Sequence, residues 1–128
     1  VSHPVTALSN DAAGAFAGVD VGATLVKLAL CSDGVTALET LPANPIEAVA
    51  RRLAAAGSDR VGLTGGGAPQ LSRLLECENA SVSEFDAWAT GARSMLRAGD
   101  EPPPRFLLVS VGTGTSAMLV EPHSVQRV

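Results

Sequence analysis

Aromatic side chains are scarce in this chain: three phenylalanines, one tryptophan and no tyrosine, 3% of 128 residues. With 46% hydrophobic residues, the core must therefore be built from alanine, valine and leucine. Such a core suits alternating strands and helices better than an aromatic-rich β-sandwich. Basic residues number only nine, are scattered, and leave a net charge of −4. No basic stripe interleaves with aromatics, so a nucleic-acid partner is not expected. An acidic balance still admits phosphate ligands, because backbone amides and one or two lysines can hold them. Cys31 and Cys77 lack metal-ligand spacing and read as reduced, apolar residues of a cytoplasmic protein. His3 and His123 are isolated beside prolines and read as surface residues in loops. No apolar run reaches membrane-spanning length, so no membrane partner is expected. The first residues lack the basic start and apolar stretch of a signal peptide, and none is expected.

What the chain does contain is two glycine-threonine turns between apolar strands. The first is Gly18-Val-Asp-Val-Gly-Ala-Thr-Leu-Val-Lys27 and the second Val109-Ser-Val-Gly-Thr-Gly-Thr-Ser116. Such a turn points backbone N–H groups at whatever lies over it, and anions fit there. Around these turns the pattern alternates between strand and helix. Residues 1–14 are polar and turn-rich and read as a loose tail. Strands are expected at 15–21, 25–31 and 35–41, an antiparallel meander whose second turn is the Asp33-Gly34 pair. A helix should start at Asn44-Pro45, with Asn44 as cap, Pro45 at the first helical position and Glu47 completing a capping box. Its stripe is Ile46, Val49, Ala50 and Leu53, and Gly57 ends it. A buried-type strand at 60–63 leads through Thr64-Gly65-Gly66-Gly67 into a helix over 68–76, then a brief strand at 80–82. Ser83 and Asp86 form a second capping box opening a helix to Arg97, with the stripe Phe85, Trp88, Ala89, Ala92, Met95 and Leu96. Strands at 106–111, 116–120 and 124–128 follow a proline-rich stop.

Several of these segments can carry chemistry. Asp20, a carboxylate at a strand end beside a phosphate-type turn, can hold Mg²⁺, usually through water. Thr24 adds a hydroxyl, and Lys27 can reach a phosphate as a point charge. The plain alternative is a tight hairpin with a solvated lysine. Against it, Lys27 lies within the apolar run Leu25, Val26, Leu28, Ala29 and Leu30, and so needs a partner or a ligand. The turn Gly112-Thr113-Gly114 repeats the logic, with Thr115 and Ser116 as further hydroxyls. Thr64-Gly65-Gly66-Gly67 either holds an anion at a helix start or lets the helix pack closely on the sheet. Glu84 in a first helical turn is favoured by the helix dipole alone. Asp86 already fills the capping role, however, and Gly91 keeps the same face free of bulk, which makes Glu84 a candidate general base.

Taken in order, these pieces resemble the type II pantothenate kinases of the sugar kinase–actin superfamily, over about residues 18–128. The residues that carry the likeness are Gly18 to Leu28, Leu63-Thr-Gly-Gly-Gly-Ala68, Ser83-Glu-Phe-Asp-Ala87 with Gly91, and Leu107 to Leu119. The resemblance implies an α/β fold: a ribonuclease-H-like (actin-like ATPase) lobe with a mixed sheet over 15–104, and the opening strands of a second lobe over 105–128. It implies ATP-dependent phosphorylation of pantothenate to 4′-phosphopantothenate, the first step of coenzyme A synthesis, with ATP and Mg²⁺. Glu84 would activate the pantothenate hydroxyl. Ser116 and Arg127 match positions that contact the pantothenate chain and its carboxylate. Asp20 would organise Mg²⁺, while Lys27 and the turn Gly22-Ala23-Thr24 would face the ATP phosphates, with Gly112, Thr113 and Gly114 across from them. A homodimer and an acyl-coenzyme A regulator come with the same resemblance.

Two departures stand out. Ala23 replaces a glycine usual in the first motif, which would be costly if the position needed a positive φ. The family also continues past Val128 into the segments that make its adenosine pocket, so this chain resembles the front part of a kinase and is expected to be inactive alone. The alternatives are another superfamily kinase or ATPase acting on a sugar or amino sugar, and a non-catalytic module that binds nucleotide or a partner chain.

Overall fold

The computed structural model describes residues 14–99, 101, 103–112 and 114–128, and the backbone of 2–6. It divides into two compact units, Val1–Ser83 and Glu84–Val128.

The first unit is a six-stranded sheet with two helices. Strands β1 (Ser2–Thr6), β2 (Phe16–Val21), β3 (Leu25–Ser32) and β4 (Val35–Pro42) precede helix α1 (Ile46–Ala55). Then come β5 (Arg60–Thr64), α2 (Ala68–Leu74) and β6 (Glu78–Ser81). The strand order is β1-β4-β3-β2-β5-β6. β2, β3 and β4 form the expected antiparallel meander, while β5 and β6 join parallel on the other side of β2. The β3–β4 turn carries Asp33 at φ 51° and Gly34 at φ 75°, as an Asp-Gly hairpin requires.

Alternation decides which face is buried. Ala17, Val19 and Val21 of β2 point to the same side as Val26, Leu28 and Leu30 of β3 and Val61 and Leu63 of β5. Ile46, Val49 and Leu53 of α1, with Ala68 and Leu71 of α2, close over that side. At about 25 cal/mol per Å² of apolar area, this cluster is the main source of the unit's stability.

Several expectations are corrected here. The tail places Ser2–Thr6 in a strand, antiparallel to β4, so the loose-tail reading of residues 1–14 fails for that stretch. Backbone pairing to an open edge needs no hydrophobic signal, and an edge strand tolerates Pro4. His3 accordingly lies on a strand rather than in a loop. The α1 capping box does not form. Pro45 is extended (φ −80°, ψ 137°), no side chain caps the helix, and Ile46 becomes its first residue. Glu47 is then second rather than third in the helix, out of capping-box position, though still near the positive end of the dipole. α2 stops at Leu74, because Leu75 turns extended (φ −81°, ψ 134°).

The second unit holds α3 (Glu84–Arg97) and strands β7 (Phe106–Val111), β8 (Thr115–Val120) and β9 (Val125–Arg127), in the antiparallel order β7-β8-β9. The compact units divide before Glu84, because Ala89 of α3 buries against Met118 and Val120 of β8. Phe85, Trp88, Phe106, Leu108 and Val125 pack around those three. The end of the expected α3 stripe does not bury, for Met95 is 72% exposed. There Arg93 takes over, donating its guanidinium to the backbone carbonyls of Glu121 and, at 3.2 Å, Ser124.

Candidate active site

The first unit gathers its candidate residues where β2 ends. Asp20 and Lys27 are directly opposed across the β2–β3 hairpin. Lys27 Nζ donates to Asp20 Oδ2 at 3.1 Å. Alternation explains why a lysine can stand in an apolar run: Val26 and Leu28 point into the core, whereas Lys27 points out. Its side chain is 70% exposed and that of Asp20 only 22%. The partner that Lys27 needs is therefore Asp20, in an open ion pair that a stronger anion can displace.

The turn between them is tight. Gly22 N–H donates to Leu25 O at 3.1 Å, and a Cβ on Gly22 would stand 2.7 Å from that oxygen. Ala23 and Thr24 are exposed at the tip. Ala23 does not take a positive φ, so its Cβ carries no backbone strain; Asp33 is the non-glycine residue that does among the described residues.

A second backbone segment is laid across the same strand end. Gly67 N–H donates to Val21 O at 3.1 Å. Gly65 has φ +91°, and a Cβ there would meet Val21 O at 2.5 Å and Asp20 Oδ1 at 2.9 Å. A Cβ on Gly67 would meet Val21 Cγ1 at 2.5 Å. Two of the three glycines thus serve close packing, the plainer of the two readings of Thr64–Gly67. Gly66 differs, since a Cβ there would touch nothing within 4 Å. Thr64 is buried and ties β5 to the exit of the sheet, donating Oγ1 to Val82 O at 2.9 Å.

Between these segments lies a cavity of about 260 Å³, lined by Val21, Gly22, Ala23, Ala43, Ile46, Gly66, Gly67 and Gln70. Glycine and alanine backbone at Gly22, Ala23, Gly66 and Gly67 makes part of its wall, a surface an anion can approach closely, and Val21, Ala43, Ile46 and Gln70 make the rest. Ala43, Gly66 and Gln70 were not among the expected site residues. The glycine run marked Gly66, but nothing in the sequence marks Gln70 or Ala43. Among the described residues no three carboxylate, histidine or cysteine side chains gather as a metal cage. One carboxylate, with phosphates and water completing the shell, is a usual Mg²⁺ arrangement, and Asp20 is a single part-exposed carboxylate of the kind that would fit it. Cys31 and Cys77 are free and half-buried.

The second unit gathers the others. Glu84 is the exposed first residue of α3. Ser116 is half-buried and shares a face with Met118 and Val120, the side of the sheet that packs on α3. Arg127 stands directly opposite Met118 and so projects to that side too. Its guanidinium carbon lies 5.9 Å from the centroid of the Phe85 ring, next in the chain to Glu84. Gly112 and Gly114 are exposed at the β7–β8 turn, where Gly112 N–H donates to Gly114 O at 2.9 Å. Thr113 lies outside the described residues. A Cβ at Gly91 would meet nothing within 4 Å, so that face of α3 is open.

Comparison with solved structures shows the fold. Component A of the (R)-2-hydroxyglutaryl-CoA dehydratase of Acidaminococcus fermentans superposes with a TM-score of 0.65 at 19% identity, covering 91% of this chain and 48% of that one. A glucokinase of the ROK family from Streptomyces griseus, in complex with glucose and AMPPNP, gives 0.56 at 16% identity, covering 88% and 46%. The fold is that of the actin-like ATPases and sugar kinases, as expected.

In sequence the chain is a relative of the type II pantothenate kinases. It is 34% identical to that of Staphylococcus saprophyticus over 99 residues, 77% of this chain and 37% of the relative. With that of Staphylococcus haemolyticus it shares 30% over 111 residues, 87% of this chain and 42% of the relative. The chain thus spans about two fifths of the length of the curated relatives it matches. No family model matches it. Among the described residues no helix is long and apolar enough to cross a membrane.

Proposed function

We propose that this chain carries part of the machinery for ATP-dependent phosphorylation of pantothenate to 4′-phosphopantothenate. The observation that carries the reading is the glycine-lined cavity at the end of β2, the strand that also carries Asp20 of the Asp20–Lys27 pair, in a chain related to kinases of that name. The backbone amides of Gly22, Ala23 and Thr24 hold phosphate oxygens, and Lys27 leaves Asp20 to meet them. Mg²⁺, when bound, neutralises phosphate charge, and Asp20 is the carboxylate that holds it. Glu84 accepts the proton of the acceptor hydroxyl, whose oxygen bonds the γ-phosphorus as the bond to the ADP oxygen breaks. Ser116 and Arg127 bind the acceptor, Arg127 through its carboxylate. Gly112, Thr113 and Gly114 form the second phosphate turn. In this reading residues 15–104 supply a ribonuclease-H-like lobe and 105–128 the opening of a second. The protein is cytoplasmic, works as a homodimer and answers to an acyl-coenzyme A.

A second reading is favoured by one observation. Leu107, Val109 and Val111 are 59%, 49% and 79% exposed along the outer face of β7. A non-catalytic module that pairs with another polypeptide would present such a face. The glucokinase likeness keeps a sugar acceptor as the third reading.

The test is phosphoryl transfer by the product of the native gene, offered pantothenate, glucose and N-acetylmannosamine in parallel. Pantothenate turnover that Glu84→Gln lowers by about 10²–10⁴-fold supports the proposal. Turnover of a sugar alone, or none with any acceptor, sinks it. The 128-residue chain by itself is expected to show no turnover.

A further inference from the structure

Arg127 presents a difficulty of its own. A guanidinium on a long flexible stem binds a carboxylate well only if the stem is already ordered, since freezing it costs side-chain entropy. Arg127 makes no ion pair among the described residues, so no acidic side chain does the ordering.

Its backbone is fixed. Arg127 is in register with Met118, and the N–H of Val128 donates to Ala117 O at 3.0 Å. What holds the side chain is a ring. Its guanidinium carbon sits 5.9 Å from the centroid of Phe85, within the range of a cation–π contact. Phe85 is braced in turn by Trp88, one helical turn on, with centroids 5.9 Å apart and planes at 76°, an edge-to-face pair. Both rings pack on the cluster of Ala89, Met118 and Val120. An aromatic face attracts the cation but offers no acceptor in the guanidinium plane, so it orders the group and leaves its donors for a ligand.

We propose that Phe85 is a positioning residue, whose Trp88-braced ring holds the guanidinium of Arg127 beside the first turn of α3 to receive the carboxylate of the acceptor. The inference rests on the proposed role of Arg127 in acceptor binding. It gives the unit's few aromatic residues a purpose beyond filling its small core.

The test uses the product of the native gene and two acceptors, pantothenate and a neutral N-alkyl amide of it. Phe85→Leu raises the KM for pantothenate roughly two- to five-fold, the worth of an exposed cation–π contact, with little change in kcat. The rise is confined to the carboxylate acceptor, and Phe85→Tyr, which keeps the ring face, restores the wild-type value. A loss of packing alone would move both acceptors together and would not separate tyrosine from leucine in this way. Equal shifts for the two acceptors overturn the inference. An unchanged KM in Phe85→Leu beside a raised one in Arg127→Ala overturns it while leaving the acceptor reading intact. An unchanged KM in both variants overturns the acceptor reading, and this inference with it.

Discussion

Each unit sets a glycine turn on a β-hairpin and packs a helix against the sheet, but the two bury their hairpins to different depths. In the first, β2 and β3 rest on a core drawn from α1, α2 and β5, and Val26 and Leu28 are 0% and 1% exposed. In the second, β7 and β8 lean on α3 through the smaller cluster of Ala89, Met118 and Val120, with Phe106 and Leu108 of β7 packed around it. Their other face leaves Leu107, Val109 and Val111 in solvent. The first phosphate turn therefore stands on the stiffer base, and the second phosphate turn, with the residues proposed to meet the acceptor, on the softer one. Low local packing is where opening motions concentrate.

Matched truncations would break this comparison most directly. Leu28→Ala should cost about 4 kcal/mol, because several elements surround the void and cannot all collapse into it. Met118→Ala, in a cluster with fewer neighbours, should cost about 2 kcal/mol. Denaturant unfolding of the two variants checks the order, and equal costs would mean that the units are equally well packed.

Glycine-to-alanine exchange should sharpen the comparison by giving opposite signs. Gly65→Ala puts a Cβ against Val21 O at a φ of +91°, and should cost about 3 kcal/mol through backbone strain and overpacking. Gly91→Ala in α3 meets no atom within 4 Å and should gain about 0.5–1 kcal/mol from helix propensity. Thermal melts of both variants decide it. A gain in stability at Gly91 that comes with lost turnover would mean the open face of α3 is reserved for a ligand.

The smallest effect is expected from pH. Arg52 of α1 grips Glu39 of β4 through Nε at 2.8 Å and Nη2 at 2.5 Å. These hydrogen bonds hold the Glu39 carboxyl below its ordinary value of 4.5, and burial opposes them. A carboxyl depressed in the folded state contributes stability above the unfolded value and loses it as pH falls through the folded one. Stability should thus decline below about pH 4.5 more steeply in the native chain than in Glu39→Gln, by under about 1 kcal/mol given the part-exposed arginine. Denaturant midpoints between pH 3 and 6 check this.

The sequence made much of this legible, and for identifiable reasons. Apolar runs flanking small-residue turns marked β2, β3 and β7, and the Asp33-Gly34 pair marked a turn. The glycine-threonine segments marked the turns of the candidate site, because few other residues permit such close backbone approach. What stayed hidden depended on partners distant in the chain. β1 is placed by its pairing with β4, far along the chain. The α3 stripe is amphipathic, but a stripe does not say which sheet it will meet. Pro45 was compatible with either a first helical position or an extended cap. The Asp20–Lys27 pair was within reach, since a short turn after Val21 sets those two residues opposite each other. The second use of Phe85 was not, because a ring that packs and a ring that also orders a cation look the same in a sequence.

The two flanks of β2 also differ in how far the chain must travel to reach them. Gly18 is opposite Ala29 on one side, 11 residues on, and opposite Gly62 on the other, 44 residues on. Two doublings of loop length add about 1.2 kcal/mol of closure entropy to the second pairing. Contacts close in sequence form sooner, so the Gly22-Ala23-Thr24 turn takes shape with its hairpin while Gly66 and Gly67 arrive with β5. The cavity is thus assembled from an early wall and a late one, and it exists only once the parallel half of the sheet has docked.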